Sequence, residues 1–169
     1  MASTLCLAMV QASAAAGESE SASDLSSRIA AITADLGQPG MAPNADVDIP
    51  TDAGSGIAVQ SESGPGTLEI PAEGDGVVAD DGTVVFEGLG SDSAIAVQTT
   101  ASGVRAVIDI QSETSPESYE FNLGGNVADL VLEADGSVTT VDSAGSPSGQ
   151  IAPLGRRFRG NSRTHVLPR

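Results

Sequence analysis

From about Gly56 the chain runs in short apolar stretches, each closed by Gly, Pro, Asp, Asn or Ser, and this punctuation limits the fold more than any other feature. The runs are Ile57-Ala58-Val59, Thr67-Leu68-Glu69-Ile70, Thr83-Val84-Val85-Phe86, Ala94-Ile95-Ala96-Val97 and Val104 to Ile110. Tyr119 to Leu123, Leu130 to Glu133 and Val138 to Val141 follow. Such runs are too short for helices and suit strands, whose side chains alternate between two faces. Three alternations are clean. Val104, Ala106, Ile108 and Ile110 share a face, opposite Arg105 and Asp109. Tyr119, Phe121 and Leu123 oppose Glu120 and Asn122, and Leu130 and Leu132 point one way. Repeated strands at this spacing predict a mainly β fold, an antiparallel sandwich or an open barrel. Asp135-Gly136 predicts a two-residue hairpin with positive φ at both positions, and Asp81-Gly82 a second one.

One short amphipathic helix precedes the strands. Ser23 is its expected N-cap, and Asp24 sits at the positive end of the dipole. Leu25, Ile29, Ile32 and Leu36 recur along one side, Gly37 supplies the C-cap and Pro39 blocks continuation. The helix either packs on the domain or serves as a stalk. The expected organisation is a signal-peptide-like segment over 1–16, a polar stretch and helix over 17–37, a linker over 38–55, and a β domain over 56–153. An Arg-rich tail fills 154–169. At 169 residues the chain is expected to hold one domain.

Charge sorts the partners. The chain has 23 acidic residues, seven arginines and no lysine. All the acids lie before residue 155, together with only Arg28 and Arg105, so 1–154 carries a formal charge of −21. A body this acidic repels phosphate backbones, so nucleic acid is not an expected partner, and self-repulsion favours a monomer. With only Phe86, Phe121, Phe158 and Tyr119 as aromatics, the core must be aliphatic and stacked-aromatic platforms are not expected.

The N-terminus carries the apolar run Leu5-Cys6-Leu7-Ala8-Met9-Val10, then Ala12-Ser13-Ala14 and Ala14-Ala15-Ala16 as A-x-A sites. The run is too short to span a bilayer and suits the h-region of a signal peptide, which predicts a secreted or cell-surface protein. No Lys or Arg precedes it, which points to a true start further upstream; a plain Ala/Ser-rich tail is the alternative. Cys6 does not sit in a lipoprotein attachment box, and a mature chain would have no thiol.

Catalytic motifs are missing. The single histidine, His165, lies in the tail. Gly145-Ser146-Pro147-Ser148-Gly149 has proline where a nucleophile elbow needs serine. Without Lys there is no Schiff-base or Ser-Lys chemistry, and no Cys/His cluster offers a transition-metal site. A carboxylate-only hydrolase needs paired acids facing a cleft, whereas here Asp75, Asp80, Asp81, Asp135 and Asp142 fall in turns, where Asp serves backbone geometry. No cofactor is expected beyond a weakly held Ca²⁺, for which Glu73, Asp75, Asp80 and Asp81 are the candidate ligands; they match no EF-hand loop.

After Gln150-Ile151-Ala152-Pro153 the composition flips to arginine. One reading is a basic arm for acidic or membrane surfaces. The other is a frameshift, since an out-of-frame stretch of a GC-rich gene reads as Arg-rich. Permitted codons from Leu154 onward, shifted by one nucleotide, can encode Trp-Ala-Ala-Asp-Ser-Gly-Gly-Thr-Pro-Val-Pro-Thr-Tyr-Tyr, a turn followed by a strand. The chain is then expected to be part of a longer protein.

Gly103-Val104-Arg105-Ala106-Val107-Ile108, Ser115-Pro116-Glu117-Ser118-Tyr119-Glu120-Phe121, Ala134-Asp135-Gly136-Ser137-Val138 and Ile151-Ala152-Pro153 form an ordered series. It resembles a family of exported actinobacterial β-rich proteins, and distantly the β modules of secreted Rhs-type repeat proteins. In that family a similar module ends in Pro-Trp-Ala-x-Asp-x-x-Gly and a variable C-terminal segment follows. The resemblance covers roughly Leu89 to Pro153 and implies export and a β fold, with no catalytic residues. The expected function is an exported, non-enzymatic β module with a structural or presenting role. The alternatives are a module that binds Ca²⁺ or a cell-wall ligand, and the carboxylate-only hydrolase.

Overall fold

The computed structural model describes the backbone of residues 3–11, 21–35, 40–87, 89, 92–153 and 155–158, and the side chains of these except 3–11, 32, 35 and 155–158. Strand β1 (Ser3–Gln11) and helix α1 (Ala22–Asp35) come first. Then follow β2 (Val47–Asp48), a 3-10 turn (Ala53–Ser55), β3 (Ile57–Ser61), β4 (Gly64–Glu69) and β5 (Val77–Val78). Next are β6 (Val84–Glu87), β7 (Ser93–Thr100), β8 (Gly103–Ile110) and β9 (Asn122–Gly125). The last are β10 (Asp129–Leu132), β11 (Val138–Val141), β12 (Pro147–Ile151) and β13 (Gly155–Phe158).

The protein is mainly β, as its alternating runs require. Three antiparallel groups form: β5-β6-β7-β8, β10-β11-β12, and the separate sheet β2-β3-β4-β9. β1 joins the first two groups by parallel pairing, with β8 on one side and with β12 and then β13 on the other. The larger sheet therefore runs from β10 at one edge to β5 at the other.

The layers follow from residue parity. On one face of β6 to β8, Val84, Phe86, Ile95, Val97, Val104, Ala106 and Ile108 meet Ile57, Leu68 and Ile70 of the smaller sheet. This is the face expected from the Val104–Ile110 alternation. On the other face Val85, Ala94, Ala96 and Val107 pack against Leu25 and Ile29 of α1. The helix thus covers the sheet and is no stalk. Strands β7 and β8 are consequently covered on both sides. Each fully buried aliphatic side chain here contributes about 1.5–3 kcal/mol relative to exposure.

Several expectations shift. Helix α1 begins two residues earlier than expected: Ser21 Oγ accepts from Asp24 N at 3.2 Å and donates to the Asp24 carboxylate at 2.7 Å, so Ser21, not Ser23, is the cap. Leu36, Gly37 and Pro39 lie outside the described residues. The stretch read as a linker, 38–55, is stitched to the β domain from residue 41 on. Met41 bridges Thr100, Ala42 N donates to Thr99 O, Asn44 Nδ2 donates to Thr100 O, and β2 pairs with β3. Residues 119–121 pack on the core without entering a strand, and pairing starts only at Asn122.

The hairpins also differ from the two-residue form. Of Asp135-Gly136 only Gly136 takes positive φ, at 86°. Gly136 N donates to Glu133 O and Glu133 N to Ser137 O, a type I turn closed by a glycine bulge. The same pair of bonds recurs over 79–83 with Gly82 and over 142–146 with Gly145. Only glycine adopts that left-handed step cheaply, which places one glycine at the fourth position of each turn.

Candidate functional site

The two arginines of the acidic body converge beneath α1. Arg28 lies three residues after Leu25 and so points toward the sheet, where Nη2 meets the Asp109 carboxylate at 2.7 Å. The Asp109 side chain is 1% exposed and also accepts from Gln111 Nε2 at 3.1 Å. Arg105, on β8, is 1% exposed, and its guanidinium donates through Nε at 3.1 Å and through Nη2 to Gln98 Oε1. Gln98 is the cross-strand neighbour of Arg105. A buried charge is tolerated when its donors are satisfied: Arg28 is paired with Asp109, and Arg105 is hydrogen-bonded to Gln98.

From Arg105 the bonds run outward in one direction. Gln98 Nε2 donates to Thr83 Oγ1 at 2.8 Å, Thr83 and Ser26 hydroxyls lie 2.8 Å apart, and Ser26 Oγ donates to Asp81 Oδ2. Ser26 has one proton and directs it to Asp81, so Thr83 Oγ1 is the donor between the two hydroxyls, and it also lies 3.5 Å from Met41 Sδ. The chain is polarised from a buried cation to a carboxylate at the surface, an order in which each bond strengthens the next. Among the described residues no imidazole or lysine amine stands beside Ser26, whose hydroxyl is held by the Asp81 carboxylate. The arrangement fastens the helix to the sheet.

The acidic turns were the candidate metal loops. Glu73, Asp75, Asp80 and Asp81 are all exposed, and they divide between two turns on either side of β5. Asp75 bridges Asp52 through the backbone. Asp81 is committed: Oδ1 accepts from Thr83 N at 3.0 Å while Oδ2 holds Ser26. Desolvation pushes the Asp81 carboxyl up, and the hydrogen bonds from Ser26 and Thr83 outweigh it, so its pKa falls below the ordinary 3.8. Hydrogen bonds from the Ser137 hydroxyl and amide likewise lower Asp135. Asp142 accepts from the amides of Ala144 and Ser146, and Asp52 from Gly54 N. Among the described residues no group of three or more His, Cys, Asp or Glu comes together as a metal site.

A cleft of about 70 Å³ opens where the smaller sheet meets β8 and β12. Val59, Leu68, Val104, Leu123 and Ile151 form its apolar wall, with Asn126, Gln150 and the Thr140–Ser148 hydroxyl pair at its polar end. It has room for about five waters and no lining side chain carries a charge. Among its described lining residues there is no carboxylate, histidine, lysine or arginine. Sequence reasoning overlooked it because its walls come from strands far apart in the chain.

No family model, no curated protein and no solved structure matches the chain. Among the described residues no helix is long and apolar enough to cross a membrane. The expected cleavage sites at 12–16 and most of the tail, 159–169, lie outside the described residues. Leu5–Val10, read as a signal h-region, lies within β1 of the larger sheet, which pairs with β8 from Thr4↔Gly103 to Gln11↔Ile110.

Proposed function

We propose that this chain is an exported, non-enzymatic β module with a structural role, holding and presenting a segment joined to its C-terminal side. The observation that supports this reading best is where the carboxylates are used. Asp52, Asp81, Asp135 and Asp142 accept hydrogen bonds from nearby backbone amides, and the cleft at the sheet junction contains no carboxylate. Paired-acid hydrolysis needs two carboxyl groups facing one substrate space.

Export and the place of β1 bear on one another. Cleavage after an A-x-A site would remove Ser3–Gln11 and leave β8 and β12 without their shared neighbour. N-terminal sequencing of protein recovered from the culture medium tests the proposal. A mature chain starting within about three residues of Gly17 is the expected result. Intact chain beginning at Met1, found only inside cells, would overturn the export reading and leave β1 as a permanent strand.

A further inference from the structure

The two outer edges of the larger sheet are β10 and β5, and both carry exposed apolar residues. β5 is two residues long, and shortness blunts an edge. β10 is different. Leu130, Val131 and Leu132 are 51%, 45% and 74% exposed, on a strand paired only with β11. Glu133 N donates to Ser137 O, so the alternation of an antiparallel ladder turns the main-chain groups of Leu130 and Leu132 toward the open side. The Asp129 carboxylate already takes the Leu130 amide at 2.8 Å, and the Leu132 amide stands at the edge. Leu130 shares its register position with Thr140, which lines the polar end of the cleft, so this strand lies beside the cleft.

Charge selects what can lie there. Asp129, Glu133 and Asp135 are exposed around the edge. Among the described side chains the only cations are Arg28 and Arg105, both beneath α1. A second copy pairing antiparallel about Val131 would set Asp129 of each chain opposite Glu133 of the other, which like-charge repulsion opposes. We propose that β10 is a strand-docking edge for a partner's extended, basic segment, one with β-branched residues in alternation and Lys or Arg at its ends. Main-chain bonds to Leu132 would supply affinity, the leucine face would take the alternate side chains, and the acidic rim would select the ends.

The test uses two fluorescently labelled peptides, Lys-Val-Thr-Val-Thr-Val-Lys and Glu-Val-Thr-Val-Thr-Val-Glu, titrated against the full chain by anisotropy. The lysine peptide is expected to bind saturably and at least about tenfold more tightly than the glutamate peptide, with affinity falling as salt rises. Leu132→Pro removes the outward amide without touching the β10–β11 ladder and should weaken binding about tenfold or more, with the melting temperature unchanged. Should that variant unfold, the double variant Leu130→Ser and Leu132→Ser must show the same loss. Binding of neither peptide, equal binding of both, or binding that survives both variants overturns the proposal. So does a concentration-dependent dimer that Leu132→Pro dissolves, which would make a second copy the occupant.

Discussion

Replacing Arg28 by methionine tests the reading of the helix dock most directly. Methionine keeps an unbranched apolar stem over the sheet, so the perturbation falls on the charge. Its partner Asp109 is 1% exposed and loses a 2.7 Å ion pair, keeping the Gln111 amide bond. Breaking a buried pair by removing one member costs about 3–5 kcal/mol. The Arg28 side chain is 16% exposed, so water already screens part of the interaction, and about 2–3 kcal/mol is the expected loss. For a chain of this size each kcal/mol moves the midpoint by about 2–4 °C, so thermal unfolding followed by circular dichroism should shift down by roughly 5–10 °C. Replacing both partners, Arg28→Met with Asp109→Leu, removes the stranded charge along with the bond. That double variant should recover most of the loss and give a coupling energy of at least about 1 kcal/mol. A single-variant shift under about 2 °C, or strictly additive losses, would refute the claim that this pair fastens α1 to the sheet.

Two further outcomes follow from local geometry. At Gly125 φ is 75° and a Cβ would lie 2.3 Å from the Pro65 carbonyl oxygen, so Gly125→Ala should cost more than about 2 kcal/mol in a denaturant melt. Gly74→Ala, with φ 80° and nothing within 4 Å, should cost only about 1 kcal/mol, and equal losses at the two sites would remove the steric argument. Asp81 has a folded-state pKa below its ordinary 3.8, so folding favours its carboxylate form. The stabilisation it brings is in place above about pH 4 and disappears as pH falls through the lowered value. Asp81→Asn should therefore melt below the unaltered protein at pH 6, with the gap narrowing as the pH falls below 3.8; a gap that widens on acidification would contradict this.

Much of the β architecture is legible in the residue order, because alternation is a local signal. The runs at 57–59, 84–86, 94–97, 104–110, 130–132 and 138–141 are all strands. The turns are legible through Asp-Gly pairs, although their type depends on φ at Asp135, which composition does not report. β12 hid behind Pro147-Ser148-Gly149, residues that read as loop; Pro147 is the first residue of the strand, and the pairing with β1 begins only at Gly149. The helix dock was missed although its signal was present. Arg28 sits inside the apolar stripe between Leu25 and Ile29, and Arg105 is the only other cation before residue 156. An arginine on the buried face of a helix demands a carboxylate opposite. Asp109, on the β8 face opposite Val104 and Ile108, is that carboxylate. What no local pattern could reveal was that both faces of β7 and β8 are covered, since that depends on layers assembled from distant segments.

The parallel seating of β1 also sets the timing of folding. Its partners on one side, residues 149–151 and 155–158, are made long after β1 itself. At 5–20 residues per second the first strand waits about 7–30 seconds for that neighbour. Until then β1 can pair with β8 alone, and the larger sheet lacks its junction with β12. Joining strands so far apart carries the loop-closure cost that makes non-local sheets slow to form.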